Sequence, residues 1–156
     1  MLRINRETDY ATGILGLMAE DTERRYSASW LAGRRCLPVP VVSKILKQLA
    51  KGGILESHRG AKGGYSLARR AEEISIAAVI RAMEGPIALT DCIDGGDTAC
   101  QYSTNCSVSS NWTRINRLFE NALQSVSLRD MIGPMDEPVL APFERLTERA
   151  KPSGVN

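Results

Sequence analysis

The stretch between residues 36 and 53, CLPVPVVSKILKQLAKGG, constrains the fold more than any other part of the sequence. Its apolar residues follow the i, i+3, i+4, i+7 spacing of one helical face, at Val42, Ile45, Leu46 and Leu49. Pro38 and Pro40 fit only a turn or the first turn of a helix, where a missing N–H costs little. Gly52 and Gly53 are typical of a helix end. The stretch therefore predicts a short amphipathic helix that follows a tight turn.

A basic, glycine-rich hairpin is predicted directly after this helix. Two short apolar runs, residues 54–55 and 65–68, flank the sequence ESHRGAKGG. Arg59, Lys62 and three glycines lie in this hairpin tip, and glycine allows a backbone to approach another surface closely. The sole histidine, His58, lies in the same tip, which should face nucleic acid if the chain binds it.

Further helices are predicted on both sides of this unit. Apolar residues at helical spacing indicate a first helix over residues 8–20. Ser27 can cap a second helix, and Ser75 can cap a later one that Gly85-Pro86 stops. Helix, helix–turn–helix, basic hairpin and helix is the order of a winged helix-turn-helix domain, which we expect over residues 1–85. The expected fold class is mainly α with a small β-hairpin wing.

Basic residues are concentrated in the same region. Residues 31–70 hold nine lysines and arginines against one acidic residue, although the net charge of the chain is only +2. Such a segment indicates a polyanion partner, or else a solvated basic face. With double-stranded DNA as the partner, the helix after the turn would enter the major groove and the hairpin a neighbouring minor groove. The candidate contacts are Ser43, Lys44 and Lys47 on the helix and Arg59 and Lys62 on the hairpin.

Three of the four cysteines lie within fifteen residues, in the polar segment DCIDGGDTACQYSTNC. Cys92, Cys100 and Cys106 have the spacing C-x7-C-x5-C, which lacks the CxxC pairs of zinc ribbons and thioredoxin-like proteins. Three thiolates suit an iron–sulfur cluster, which usually has four ligands, and they suit zinc with a water or carboxylate equally well. His58 and Cys36 are poor candidates for the fourth ligand. Cys36 is expected to be a small buried residue of the turn between the paired helices.

A long helix is predicted after the cysteines. Its apolar residues step by four and three positions through Val108, Trp112, Ile115, Phe119, Ala122 and Val126, which gives residues 107–128 a heptad-like seam. Helix-turn-helix proteins generally read two half-sites, so the seam is expected to join two copies of the chain; packing on its own core is the alternative. The expected organisation is a cysteine-bearing segment at 86–106, a dimerisation helix at 107–130 and an irregular tail at 131–156.

The sequence does not favour an enzyme, because it has one histidine and no paired catalytic constellation. The start of the chain does not match a signal peptide, and no run approaches the roughly 18–20 apolar residues of a membrane span. We therefore expect a cytoplasmic protein without a membrane partner, whose cysteines are thiols or metal ligands rather than disulfides. A redox enzyme and a protein-interaction adaptor are the alternatives outside DNA binding.

Four stretches of the chain carry a resemblance to a known family: RINRETDYATGIL, SHRGAKGGYSLAR, EISIAAVIRAMEGPIALTDC and CSVSSNWTRIN. They resemble the IscR/NsrR-type family of iron–sulfur winged-helix transcription regulators. Within that family, RGAKGGYSLAR and EGPIALTDC are most similar to the regulator of the SUF iron–sulfur assembly system. The resemblance spans about residues 1–130 and leaves the tail unexplained.

The resemblance implies a homodimer crossed through the long helix, with an iron–sulfur cluster, 2Fe-2S or 4Fe-4S, on the three cysteines of each subunit. It implies DNA binding by the helix that begins at Val39 and by the hairpin around Arg59. In nitric-oxide-sensing relatives an aspartate from the other subunit's first helix is a cluster ligand, and Asp9 occupies the matching position. An ordinary acidic residue near a helix N-terminus is the alternative for Asp9.

Two departures from the family pattern concern the cluster ligands. IscR-like relatives carry a histidine shortly after the third cysteine, whereas CSVSSNW has none, and the first cysteine gap is two residues longer than the usual five. The resemblance implies a repressor that senses its cluster and controls iron–sulfur assembly genes. A nitric-oxide- or redox-sensing repressor of the same family and a DNA-binding protein with a structural zinc are the alternatives.

Overall fold

A computed structural model describes residues 3–60, 63–90, 93 and 106–133 of the chain. The described helices are α1 (Arg6–Ala19), α2 (Ala28–Arg35), α3 (Val39–Lys51), α4 (Ile76–Glu84), α5 (Ser109–Ser125) and α6 (Leu128–Ile132). A 3-10 turn covers Ala71–Glu73, and the strands are β1 (Leu55–His58) and β2 (Gly64–Leu67). This arrangement confirms the expected fold class, a mainly helical chain with a two-stranded wing.

The predicted helix starts follow from local capping. The Ser27 hydroxyl accepts the backbone N–H of Trp30, and the Ser75 hydroxyl accepts that of Ala78. Each bond satisfies an N–H that has no partner within its own helix. Gly85 follows the last residue of α4 with a φ of 89°, a left-handed conformation that glycine adopts without strain.

The core lies where α1, α3 and α4 meet. Its members are fully or almost fully buried apolar side chains, among them Ile14, Leu15, Val42, Ile45, Leu46, Leu49, Ile74, Val79 and Leu128. The predicted inner face of α3 is therefore confirmed. Leu128 belongs to α6, which packs against α1, so the winged domain includes residues beyond position 85 in its core.

The wing is an antiparallel pair in which Leu55 lies opposite Leu67 and His58 opposite Gly64. The sequence placed the first strand at residues 54–55 and His58 in the tip, whereas β1 continues through His58. Tyr26, just before α2, forms an isolated bridge with Tyr65 of β2. The wing is thereby fixed to the segment that leads into the helix–turn–helix unit.

The helix predicted over residues 107–128 is interrupted near its end. The backbone N–H of Ile76 donates to the carbonyl of Val126, and Ser127 bridges Ser75. Ser127 then forms a capping box with Asp130 and starts α6. A heptad count cannot show these contacts, because they join the end of α5 to the start of α4. In the expected tail, residues 131 and 132 belong to α6, and residues 134–156 lie outside the described part.

Helices within the described part of the chain include none that is both long and apolar enough to cross a membrane.

Candidate nucleic-acid interface and cysteine segment

The recognition-helix candidate α3 has one buried and one open face. Ile45 and Leu49 are completely buried, while Lys44 and Lys47 are exposed on the opposite side. Val39, the first residue of the helix, is 44% exposed, and Ser43 is half-buried. Pro38 and the proline in the first turn leave this end of the helix without a side-chain cap. The residues predicted from sequence thus share an accessible face.

The turn between α2 and α3 depends on Cys36. This residue adopts a left-handed conformation with φ 52° and ψ 41°, and its N–H donates to carbonyls at the end of α2. The expectation that Cys36 is buried is wrong, because its side chain is exposed. Leu37 packs against the core instead, and the left-handed cap explains why position 36 faces outward.

The wing tip presents Arg59 to solvent. The Gly63 N–H donates to the Gly60 carbonyl at 2.9 Å, and Gly60 has a φ of 96°, a backbone conformation that glycine adopts without strain. His58 is half-buried, and its Nε2 lies 2.8 Å from the Ser66 hydroxyl on the facing strand. Lys62, the other predicted tip contact, lies outside the described residues.

Lys44 contacts the first helix. Its Nζ lies 2.8 Å from both carboxylate oxygens of Glu7, and the two side chains are 59% and 37% exposed. A pair this open to water contributes at most about 1 kcal/mol to folding. The pair matters more for DNA binding, because the Glu7 carboxylate lies beside Lys44, a predicted phosphate contact.

Of the four predicted metal ligands, the structure describes Cys106 and Asp9. Cys106 is half-buried three residues before α5, and its carbonyl accepts the Ser109 hydroxyl at 3.1 Å. Cys92 and Cys100 lie outside the described residues. No group of three or more potential metal-ligating side chains occurs within the described ranges, which contain only one of the three clustered cysteines.

The entry to the cysteine segment is held on α5 by Asn116. This side chain is 5% exposed; its amide oxygen accepts the Leu89 N–H and its amide nitrogen donates to the Ile87 carbonyl, both at 2.9 Å. Asn116 lies about two helical turns after the start of α5. Cys106 lies three residues before that start and accepts the Ser109 hydroxyl, so residues 87–89 and Cys106 both lie beside the same helix.

Asp9 is exposed in the first turns of α1. It borders a cleft of about 360 Å³ whose lining also includes Arg3, Ile76 and Met131. Its neighbour Thr8 is buried and donates to Glu84 Oε1 at 2.6 Å. The start of α1 is therefore fixed to the end of α4, with Asp9 facing open space.

The predicted seam of α5 faces solvent in the single chain. Four of its large apolar residues and the adjacent Leu118 are 40–48% exposed, the four being Val108, Trp112, Ile115 and Phe119. A row of this kind along one helix marks a surface that another apolar surface can cover. The opposite side of α5 is fixed to the winged domain, because Arg81 of α4 donates to Glu120 at 2.6 Å.

Comparison with known proteins agrees with this architecture. The sequence model of Rrf2, described as an iron-dependent transcriptional regulator, matches residues 4–134. The chain belongs to the Rrf2 family. The match includes the winged domain, all three clustered cysteines and α5.

Individual relatives of this Rrf2-family chain are also transcriptional regulators. The HTH-type transcriptional regulator IscR of Serratia proteamaculans is 25% identical over 154 residues, or 98% of this chain and 93% of that protein. Among solved structures, CymR (YrzC), the global cysteine regulator of B. subtilis, gives a TM-score of 0.63 at 26% identity, covering 85% of this chain and 97% of that one. IscR of T. potens gives 0.59 at 25%, covering 98% and 94%.

These findings confirm the family resemblance, the winged-helix fold and the expectation of a transcriptional regulator rather than an enzyme. Sequence reasoning missed several side chains that position the site. Asn116 and Glu84 are polar residues whose roles depend on backbone groups far away in sequence. A single sequence offers no signal for either contact.

Proposed function

We propose that this protein is a homodimeric transcriptional repressor that senses an iron–sulfur cluster and controls genes of cluster assembly. The observation that carries the proposal is the attachment of the cysteine segment to α5 at both ends. Asn116 holds residues 87–89 on this helix, and Cys106 leads into its first turn. A change in the cysteine segment therefore acts on the same helix that exposes the apolar seam.

The cluster would be held by Cys92, Cys100 and Cys106, with Asp9 of the other subunit as fourth ligand. The donor chemistry fits, because iron–sulfur clusters are bound by thiolates. The matching family is also described as one of iron-dependent transcriptional regulators. Asp9 also fits, since its side chain is exposed beside the cleft that Arg3 and Met131 line. A bound cluster supplies a group whose assembly and loss depend on iron and oxidants.

DNA would be bound by the open face of α3 and by the wing. Lys44 and Lys47 supply positive charge for phosphates, and Ser43 near the start of α3 can reach a base edge. Arg59 at the glycine-rich tip has the shape and charge for a narrow minor groove. Val39, Lys62 and His58 complete the proposed set, although the imidazole of His58 is engaged with Ser66.

The path from the cysteine segment to the DNA-reading helix consists of direct contacts. Asn116 fixes the segment to α5, and Arg81 fixes α5 to α4 through Glu120 and Gln124. Helix α4 then packs on α3, where a Cβ on Gly52 would collide with Ala82. In a dimer joined through α5, movement of α5 changes the separation of the two recognition helices and hence their fit to two half-sites.

The test is purification without oxygen, followed by measurement of iron, sulfide and DNA affinity. We expect iron and sulfide in a fixed ratio to protein, and a change in promoter affinity when Cys92, Cys100 and Cys106 are all replaced by alanine. The matched control is Cys36→Ala, which removes the one thiol outside the segment. Equal affinity of the triple variant and the control for promoter DNA would contradict cluster sensing.

The same experiment separates the alternatives. Colourless protein with stoichiometric zinc would replace cluster sensing with a structural zinc site, because zinc binds the same thiolates without colour. Iron-containing protein whose DNA affinity changes only on exposure to nitric oxide or an oxidant would instead identify those agents as the signal. Both results would leave the DNA-binding surface intact.

A further inference from the structure

A cluster of stacked cationic and aromatic side chains lies at the start of α2, outside the surface described above. The guanidinium of Arg24 lies 4.4 Å from the centre of the Trp30 ring and 5.2 Å from that of Tyr26. The guanidinium of Arg34, one helical turn after Trp30 in α2, lies 5.7 Å from the centre of the same ring. The rings of Tyr26 and Trp30 are 5.1 Å apart.

The two arginines of this cluster are held in place yet remain open to solvent. Both Arg24 and Arg34 are exposed, and neither forms an ion pair with a carboxylate in the part of the chain that the structure describes. Three acidic residues, Glu20, Asp21 and Glu23, precede the cluster. The Asp21 carboxylate accepts the backbone N–H of Glu23 at 3.2 Å rather than pairing with either arginine. Stacking on Trp30 fixes the guanidinium groups while leaving their N–H donors free for the oxygens of a phosphate.

The backbone places this cluster beside the wing. Tyr26 and Tyr65 exchange two backbone hydrogen bonds of 2.8 and 2.9 Å, so residue 26 lies next to the tip end of β2. The approach is close, because a Cβ on Gly64 would lie 2.7 Å from the Tyr26 carbonyl oxygen. Arg24 is two residues from this bridge, and Arg59 follows the residue paired with Gly64.

We propose that Arg24 and Arg34, positioned by Trp30, form a second phosphate clamp that binds the DNA backbone in the flank of the operator. This inference rests on the proposed DNA-binding function and extends it beyond α3 and the wing. The partner is the sugar–phosphate backbone rather than a base edge, because the guanidinium groups are oriented by a ring and not by a groove-facing helix. The clamp adds affinity that does not depend on sequence and that salt weakens.

The experiment compares the salt dependence of DNA affinity when arginines inside and outside this cluster are replaced by glutamine. The probe is a duplex selected for wild-type binding from a random pool, prepared with long flanks and with flanks trimmed to the selected site. On the long duplex, an Arg24→Gln, Arg34→Gln variant should bind more weakly, and its slope of log K against log salt should fall by about 0.9 for each arginine. Arg69→Gln, at an exposed arginine at the base of the wing, is the control and should keep the wild-type slope.

The flanks provide the second readout. On the trimmed duplex the double variant and wild type should bind with the same affinity, because the phosphates that the clamp contacts are gone. Trp30→Leu should lower the slope in the wild-type background and have no further effect when both arginines are glutamine. A merely structural tryptophan would weaken binding equally in both backgrounds, and that result would overturn its positioning role.

Failure of the inference is distinct from failure of the proposed function. If wild-type protein enriches no duplex, DNA reading itself is wrong. If wild type binds with a steep salt slope that the double variant retains on the long duplex, DNA reading stands and the clamp is wrong. Thermal unfolding of each variant identifies affinity changes that arise from loss of folding.

Discussion

At the scale of single residues, the site is organised by polar side chains that fix backbone groups or charges. Asn116 binds the backbone at Ile87 and Leu89. Glu84, the last residue of α4, accepts the Thr8 hydroxyl and so joins the end of α4 to the start of α1. Glu7 neutralises part of the charge of Lys44. Each contact links residues far apart in sequence, so each can be tested by one substitution.

Asn116→Ala should destabilise the protein and release the entry to the cysteine segment. The substitution leaves the Leu89 N–H and the Ile87 carbonyl without a buried partner, at about 1–3 kcal/mol for each group. Chemical denaturation measures the change, and Asn121→Ala on the exposed side of α5 is the control. Equal stability of the two variants would show that Asn116 does not hold the segment.

Glu7→Gln should tighten DNA binding with little change in stability. The exposed pair with Lys44 contributes at most about 1 kcal/mol to folding, whereas the carboxylate lies beside a group proposed to bind phosphate. We expect a severalfold gain in affinity in a low-salt titration. The same charge change at exposed Glu73 is the control, and an equal gain there would argue for a general charge effect only.

At the scale of elements, the packing of α3 against α4 determines where the recognition helix lies. A Cβ on Gly52 would approach the Cα of Ala82 to 3.1 Å, which is closer than real Cβ atoms usually come. Gly52→Ala should therefore destabilise the fold by about 1–3 kcal/mol through overpacking. Gly33→Ala in α2, where nothing lies within 4 Å, should be neutral or stabilising, as thermal unfolding would show. If both variants gain stability, the α3–α4 contact is looser than described.

Helix α6 should depend on pH through its capping box. Hydrogen bonds from the Ser127 hydroxyl and N–H hold the pKa of Asp130 below its usual range. A depressed folded-state pKa contributes stability above the unfolded pKa, and this contribution is lost as pH falls through the folded value. The free energy of unfolding, measured from neutral to acidic pH, should fall in wild type and change less with pH in Asp130→Asn. Identical profiles would mean that the box adds nothing.

At the scale of the whole molecule, the exposed seam of α5 is expected to join two chains. Ile115→Glu places a charge in the middle of this seam, where Ile115 is 43% exposed in the single chain. Wild type should have twice the 17.1 kDa mass of one chain in light scattering, and the variant should shift to a single chain. Asn121→Glu, away from the seam, should remain a dimer; a monomeric wild type would contradict the proposed assembly.

The sequence by itself determined the elements whose signals are local. Spacing of apolar residues, serine caps and glycine stops predicted α1 to α4 and the hairpin, because these features act within a few residues of one another. The three thiols and the basic segment predicted a thiolate site and a polyanion partner from residue type alone, and the thiolate site stays a prediction. Family resemblance then supplied an expectation for Asp9 that no spacing could have given.

Only the tertiary structure decided which surfaces stay open and which segments are tied together. The break between α5 and α6 depends on contacts of residues 126 and 127 with the start of α4. Exposure of Cys36 depends on a left-handed turn, and the Arg24–Trp30–Arg34 stack depends on how the chain enters α2. These features arise from contacts between distant residues or from one backbone angle, and periodicity in a sequence encodes neither.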